Sequence, residues 1–313
     1  MVSLSEVRSQ NASLKSLAPG LVAIFVGGTS GIGLYTAREF VRNTNAPHVY
    51  LVGRNQTEAT RIIAELQELN PSSQLEFIKS DVSLLKNVDQ ACNQIKAKES
   101  KVNLLFMTVG YLTMKGRDET EEGLDRKFAL HYYSRMRFAH NLTPLLHSAA
   151  NDTDPKSRLA RVVSVLDPQV GLKLLPNFAD LSLKTTFSLK NCATHASAMN
   201  NFAVEHLAAE NPDVSGLAFL LKPLSVGNQE SGGRHLFAAT APRFAPRKAS
   251  NVENVATGSD GKSGSGGYML SWNGEVFGSS KNMDDMRKDG AAGKIWGHTK
   301  EVFKKICEDK EKY

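Results

Sequence analysis

The chain has 313 residues, 41% of them hydrophobic, and a modest formal net charge of +6. That is enough apolar material for a core and argues against global disorder, and no apolar run is long enough to span a bilayer. The basic residues are scattered, which speaks against a nucleic-acid partner and favours anionic small molecules. Cys92, Cys192 and Cys307 are too widely spaced for a metal site and read as reduced thiols of a cytoplasmic protein.

Residues 1–18 are a mixed, polar N-terminal extension with no secretory pattern. Leu21 to Val26 predicts a short buried strand, and Gly27-Gly28-Thr29-Ser30-Gly31-Ile32-Gly33 a turn into a helix that continues through Val41. Strand, glycine turn and helix in that order form a phosphate cradle. Gly27 permits the turn, Gly31 lets the backbone approach a pyrophosphate, and Gly33 lets helix and strand pack closely. Thr29, Ser30 and Ile32 lie on the same cradle.

His48 to Val52 predicts a second strand, ending in Gly53-Arg54-Asn55, and residues 57–69 a helix stopped by Asn70-Pro71. Leu75 to Ile78 is a third strand, followed by Asp81-Val82 and a helix capped by Ser83. Val102 to Val109 reads as a fourth strand, and about Glu119 to His147 as one long helix. Arg161 to Leu166 is a fifth strand and Ser182 to Glu210 is mostly helix. Val214 to Leu221 gives a sixth strand. Residues 225–267 read as a lid or substrate region containing a flexible glycine-serine loop at 257–267. Tyr268 to Trp272 is a seventh strand, and residues 283–313 supply closing helices.

Strands alternating with helices call for a single α/β domain, a doubly wound, Rossmann-type parallel sheet with helices on both faces. The glycine turn, Arg54, Asp81 and Gly110 all follow strands, so they fall on the ligand-binding edge of such a sheet. Where NAD-binding folds place an acidic residue after the second strand, this chain has Arg54 and Asn55. A guanidinium pairs with a ribose phosphate that a carboxylate would repel, so the expected cofactor is NADP. Asp81 and Val82 would hold the adenine edge.

From about Pro19 to Pro223 the sequence resembles the short-chain dehydrogenase/reductase family. The matching features are Gly27-x-x-x-Gly31-x-Gly33, Asp81-Val82, Glu122-Gly123-Leu124-Asp125 and Arg161-Val162-Val163-Ser164-Val165. Residues 129–135 and Ile295-Trp296 are similar to divergent fungal members linked to secondary metabolism. The resemblance implies an NAD(P)-binding fold, carbonyl–alcohol redox chemistry and, as often in the family, a homo-oligomer.

The catalytic positions depart from the family. Its Tyr-x-x-x-Lys pair aligns with Phe187 and Asn191, or with Ser188 and Cys192 after a shift of one. The carbonyl-polarising serine aligns with Asp167, the helix asparagine with His131, and the Pro-Gly after the sixth strand with Pro223-Leu224. Tyr111-Leu112-Thr113-Met114-Lys115 spells the missing pair, but it follows the fourth strand. General acid catalysis contributes roughly 10²–10⁴-fold, so another group must supply the proton or the chemistry differs. The candidate catalytic residues are His131, Tyr133, Ser164 and Asp167, with Tyr132 and Lys190 as further proton carriers. Arg135 and Arg137 are candidates for gripping an acidic substrate, and His195 reads as a helix-face residue. The expected activity is NADP-dependent oxidation or reduction of a small secondary metabolite. The alternatives are a non-redox isomerase, cyclase or dehydratase, and a catalytically inactive NADP-binding protein.

Overall fold

Short apolar segments with helices between them pair in the computed structural model into one parallel sheet, ordered β3-β2-β1-β4-β5-β6-β7. The structure describes residues 1–110, 113–219, 226–249 and 254–313. In chain order the elements are α1 (Leu4–Ser13), β1 (Val22–Val26), α2 (Gly31–Asn43), β2 (His48–Gly53), α3 (Gln56–Leu69), β3 (Gln74–Lys79), α4 (Leu85–Lys96) and β4 (Leu104–Met107). Then come α5 (Arg126–Phe128), α6 (Ser134–Ala150), β5 (Arg161–Val165), α7 (Pro168–Lys173), α8 (Leu189–Glu210), β6 (Ser215–Phe219), α9 (Asn228–Thr240), β7 (Gly267–Leu270), α10 (Lys281–Lys288) and α11 (Ala291–Phe303).

Strands β1, β4, β5 and β6 are buried along their whole length, as unbroken apolar runs require when helices cover both faces. Ala23 and Phe25 pack with α2 and α9 on one face, and Val22, Ile24 and Val26 with α4 and α6 on the other. The chain runs outward from β1 to β3 and then returns to lay β4 on the other side of β1. That reversal opens a crevice at the carboxyl ends of β1 and β4. Among the described residues no helix is long and apolar enough to cross a membrane.

Several expected elements change form. The long helix starts late, because Gly123 adopts φ +91° and breaks the backbone run. Asp125 then caps α5, a wide turn covers Ala129–Tyr133, and α6 follows. Ser83 does not cap α4; the Glu122 carboxylate does, accepting the Leu85 and Lys86 amides at 2.6 and 3.0 Å. The N-terminal extension is mostly helix and packs on α9, with Asn11 Nδ2 donating to the Gly233 carbonyl. Much of the expected lid is α9, whose residues from Ser231 onward are buried. The glycine-serine loop is tied down by backbone bonds such as Gly258 N–H to the Lys262 carbonyl, with Ser259 and Ser265 buried. The expected end of the sixth strand at Leu221, and the Pro223-Leu224 pair, lie outside the described residues, as do Tyr111 and Leu112 of the displaced Tyr-x-x-x-Lys.

Candidate active site

A cleft of about 440 Å³ opens at the carboxyl edge of the sheet. Its walls are the glycine turn with Thr29, Ser30 and Ile32, then Arg54, Asp81, Val82, and residues 108–110; Val226, Asn228 and Ser231 close it from the start of α9. A Cβ on Gly33 would stand 2.4 Å from the Gly27 carbonyl oxygen, so α2 and β1 meet only because that side chain is missing. Gly31, at φ +51°, has nothing within 4 Å of its Cβ direction, so bare backbone faces the cleft. With the amino end of α2 behind it, this cradle fits a pyrophosphate.

Arg54 is exposed on the cleft wall and has no ionic partner among the described residues. Asp81 accepts the Ser83 amide at 3.1 Å and pairs with Arg126 at 3.6 Å, which fixes its carboxylate at the wall. Asn55 is not brought to the cleft lining. Its side chain caps α3 by accepting the Glu58 amide at 3.1 Å, because a short polar side chain at a helix start is taken up by orphan amides.

At the far end of the cleft, a Cβ on Gly110 would lie 2.6 Å from His131 Cδ2 and Nε2. The ring edge of His131 therefore stands directly behind the wall residue Gly110. Burial, then the charges of Arg135 and Lys127, push the His131 imidazole down to about 4. At neutral pH it is uncharged. Arg135 is fully buried and makes four hydrogen bonds: to Val109 O at 2.6 Å, Ser164 Oγ and Val165 O at 2.9 Å, and Leu130 O at 3.2 Å. Burial lowers its guanidinium to about 9, which leaves it charged. Lys127 Nζ is held by the Lys115 and Gly116 carbonyls and lies 5.3 Å from the Phe187 ring centre. Two cations thus flank one neutral histidine.

The other candidates are occupied elsewhere. Tyr133 is fully buried against α11 and shares a 2.8 Å hydrogen bond with His298 Nε2, and Tyr132 bonds Thr299 Oγ1 at 2.6 Å. Burial raises both phenols well above the ordinary tyrosine value. Ser164 is enclosed in the sheet and spends its oxygen on Arg135. Asp167 caps α7, accepting the Gln169 amide at 2.8 Å ahead of Pro168. Ser188 caps α8, Lys190 is exposed, and burial pushes the Cys192 thiol up to about 12. His195 accepts the Asn177 amide at 2.8 Å and fastens the loop before α8. Arg137 is paired with Asp89 and lies over Phe303. Lys127 escaped the sequence reading, although its spacing of four from His131, and His131's of four from Arg135, was the signal for a shared helix side.

Comparison with known proteins places this arrangement in context. A family profile described as short chain dehydrogenase matches residues 21–165. An oxidoreductase of Emericella nidulans is 40% identical, over 97% of this chain and 98% of its own length. A short-chain dehydrogenase/reductase of Stachybotrys chartarum is 26% identical over 96% of each chain. Among solved structures, the NADPH-bound carbonyl reductase from chicken fatty liver superposes with a TM-score of 0.57 at 18% identity, covering 83% of this chain and all of that one.

Proposed function

This chain belongs to the short-chain dehydrogenase/reductase family of oxidoreductases, and from that premise we propose that it is an NADP-dependent enzyme acting on a carbonyl or alcohol of a small secondary metabolite, with His131 in the role of the missing phenol. The observation that carries the reading is one cleft with a glycine cradle and unpaired Arg54 at one end and, at the other, the wall residue Gly110 with neutral His131 directly behind it. NADP, when bound, supplies the hydride chemistry. Residues 27–33 hold its pyrophosphate, and the Arg54 fork grips the ribose phosphate.

His131 is set up for a substrate oxygen. With its pKa near 4 it stays neutral, so it can offer an N–H to a substrate carbonyl oxygen. The buried Arg135 and Lys127 charges oppose its protonation and favour negative charge developing beside it. This is the electrostatic part of catalysis supplied without a phenol. The substrate class rests on the likeness of residues 129–135 and 295–296 to fungal secondary-metabolism members.

The cofactor half is tested by titrating NADPH and NADH into Arg54→Ala and watching nicotinamide fluorescence. A charge-assisted phosphate contact contributes about 1.5–3 kcal/mol, so NADPH should bind roughly 10- to 100-fold more weakly while NADH changes little. Equal losses for both would refute the assignment of Arg54. A second reading, non-redox proton transfer on the same scaffold, is favoured by the lack of a phenol at either alignment of the family pair, Phe187 or Ser188. Deuterium delivered from labelled NADPH into product would exclude it.

A further inference from the structure

The sheet has a second opening at its other edge. A cavity of about 740 Å³, larger than the cofactor cleft, lies between α1, the end of α9 and the amino-terminal ends of β5 and β6. Leu14, Leu17, Leu159 and Pro242 give it apolar walls. Its floor is Arg161, the first residue of β5, roughly 13 Å along the strand from Val165 at the cofactor edge.

Arg161 is the anomaly. Its side chain is 5% exposed, its Nε has no hydrogen-bond partner, and Nη1 reaches only the Ala160 carbonyl at 3.3 Å. No carboxylate pairs with it among the described residues. The acidic group in the lining, Asp213, meets His147 and Asn151 through Oδ2 at 2.7 Å each, and its Oδ1 is buried without a partner rather than bonded to Arg161. Ser215, the register partner of Arg161 on β6, is also buried with an unpartnered hydroxyl. Burial lowers the Arg161 guanidinium to about 10, so it is charged at neutral pH. A buried charge without a counterion is strongly unfavourable unless something compensates it.

We propose that this cavity is a second binding site, which takes an amphipathic organic carboxylate with its head on Arg161 and its hydrocarbon body against the apolar walls. The unpaired Nε edge of a guanidinium matches a carboxylate in geometry and charge. Arg161 balances a monoanion, and the apolar walls favour a hydrocarbon body that inorganic phosphate lacks. Arg158 and Lys248 also line the cavity and add attraction for an entering anion.

Isothermal titration calorimetry on the full chain with dodecanoate, dodecanol and inorganic phosphate tests this. Dodecanoate should bind at least about tenfold more tightly than either control, and Arg161→Met should lose about tenfold or more. Without ligand, Arg161→Met should melt at or above the wild-type temperature, because it removes an unpaired buried charge. Should that variant fail to fold, Leu17→Trp fills the cavity with Arg161 intact and should abolish dodecanoate uptake. Dodecanoate binding that survives either substitution, phosphate binding as tight as dodecanoate, or no binding of any of the three overturns the proposal.

Discussion

Strand β5 separates two buried arginines that have opposite accounts of their donors. Near its carboxyl end, Arg135 meets three carbonyls and a hydroxyl, all neutral, and has no carboxylate partner among the described residues. At its amino end, Arg161 has one long bond to its own neighbour and an unpartnered Nε. Both are enclosed and both are charged at neutral pH. Burial alone therefore does not mark a binding site. Arg135 is a fixed part of the cleft that acts by its field on His131, while Arg161 keeps its donors for a partner from outside.

The largest expected effect breaks this contrast directly. Arg135→Met strands the Val109, Val165 and Leu130 carbonyls and the Ser164 hydroxyl in the interior, and should cost about 3–5 kcal/mol in urea unfolding. Arg161→Met should cost nothing in the same measurement. Comparable losses at both sites would mean that the two arginines are alike structural residues and that their bonding difference is without consequence.

Next comes the histidine on which Arg135 acts. His131→Phe keeps an aromatic ring beside Gly110 but removes the neutral N–H donor, and kcat should fall by roughly 10²–10³ with NADP affinity little changed. A loss confined to NADP affinity would move His131 from chemistry to packing. If kcat is unaffected, the field of Arg135 has no target in the cleft.

How legible these roles were in the sequence depended on the range of the deciding contacts. The placement of residues 27–33 and Arg54 at the cleft, and the apolar strands, were readable because their signals are local: glycine spacing, a charge after a strand, unbroken hydrophobic runs. Asp167 was read as catalytic from its alignment, although Asp-Pro is also a helix-start signature, and that local role is the one it fills. Tyr133 was unreadable for the opposite reason. Its fate is settled by α11, 165 positions later in the chain, where His298 takes its hydroxyl. Residues 228–240 carry no strong apolar stripe of their own, and their helix is held by packing against α1 and α2, which propensity does not report.

A third measurement extends the contrast between bonded and orphaned groups to pH. His235 is buried against Phe106 and Phe219, donates its Nδ1–H to the Ser231 carbonyl, and leaves Nε2 without a partner. Burial pushes its imidazole down to about 4, as it does for His131. Between the ordinary histidine value of about 6.5 and pH 4 the unfolded chain binds protons that the folded chain refuses, so stability is level above that window and falls as pH drops through it. For His235 the loss should reach on the order of 3 kcal/mol near pH 4. His235→Phe matches its aromatic neighbours and should flatten that acid limb in thermal melts from pH 7 to 4. An unchanged limb would show that His235 is already protonated in the fold.

The smallest effect belongs to Tyr133, which sharpens the comparison by contrast with His131 two positions away. Its phenol is satisfied by His298 and faces α11 rather than the cleft. Tyr133→Phe removes one hydroxyl and leaves His298 Nε2 without that partner, so the stability loss should be about 1 kcal/mol. Turnover and its pH profile should match the wild type, because no proton passes through a group that never meets the substrate. A drop in kcat comparable to that of His131→Phe would place the phenol back in the reaction, and would require the Ala129–Tyr133 turn to rearrange when substrate binds.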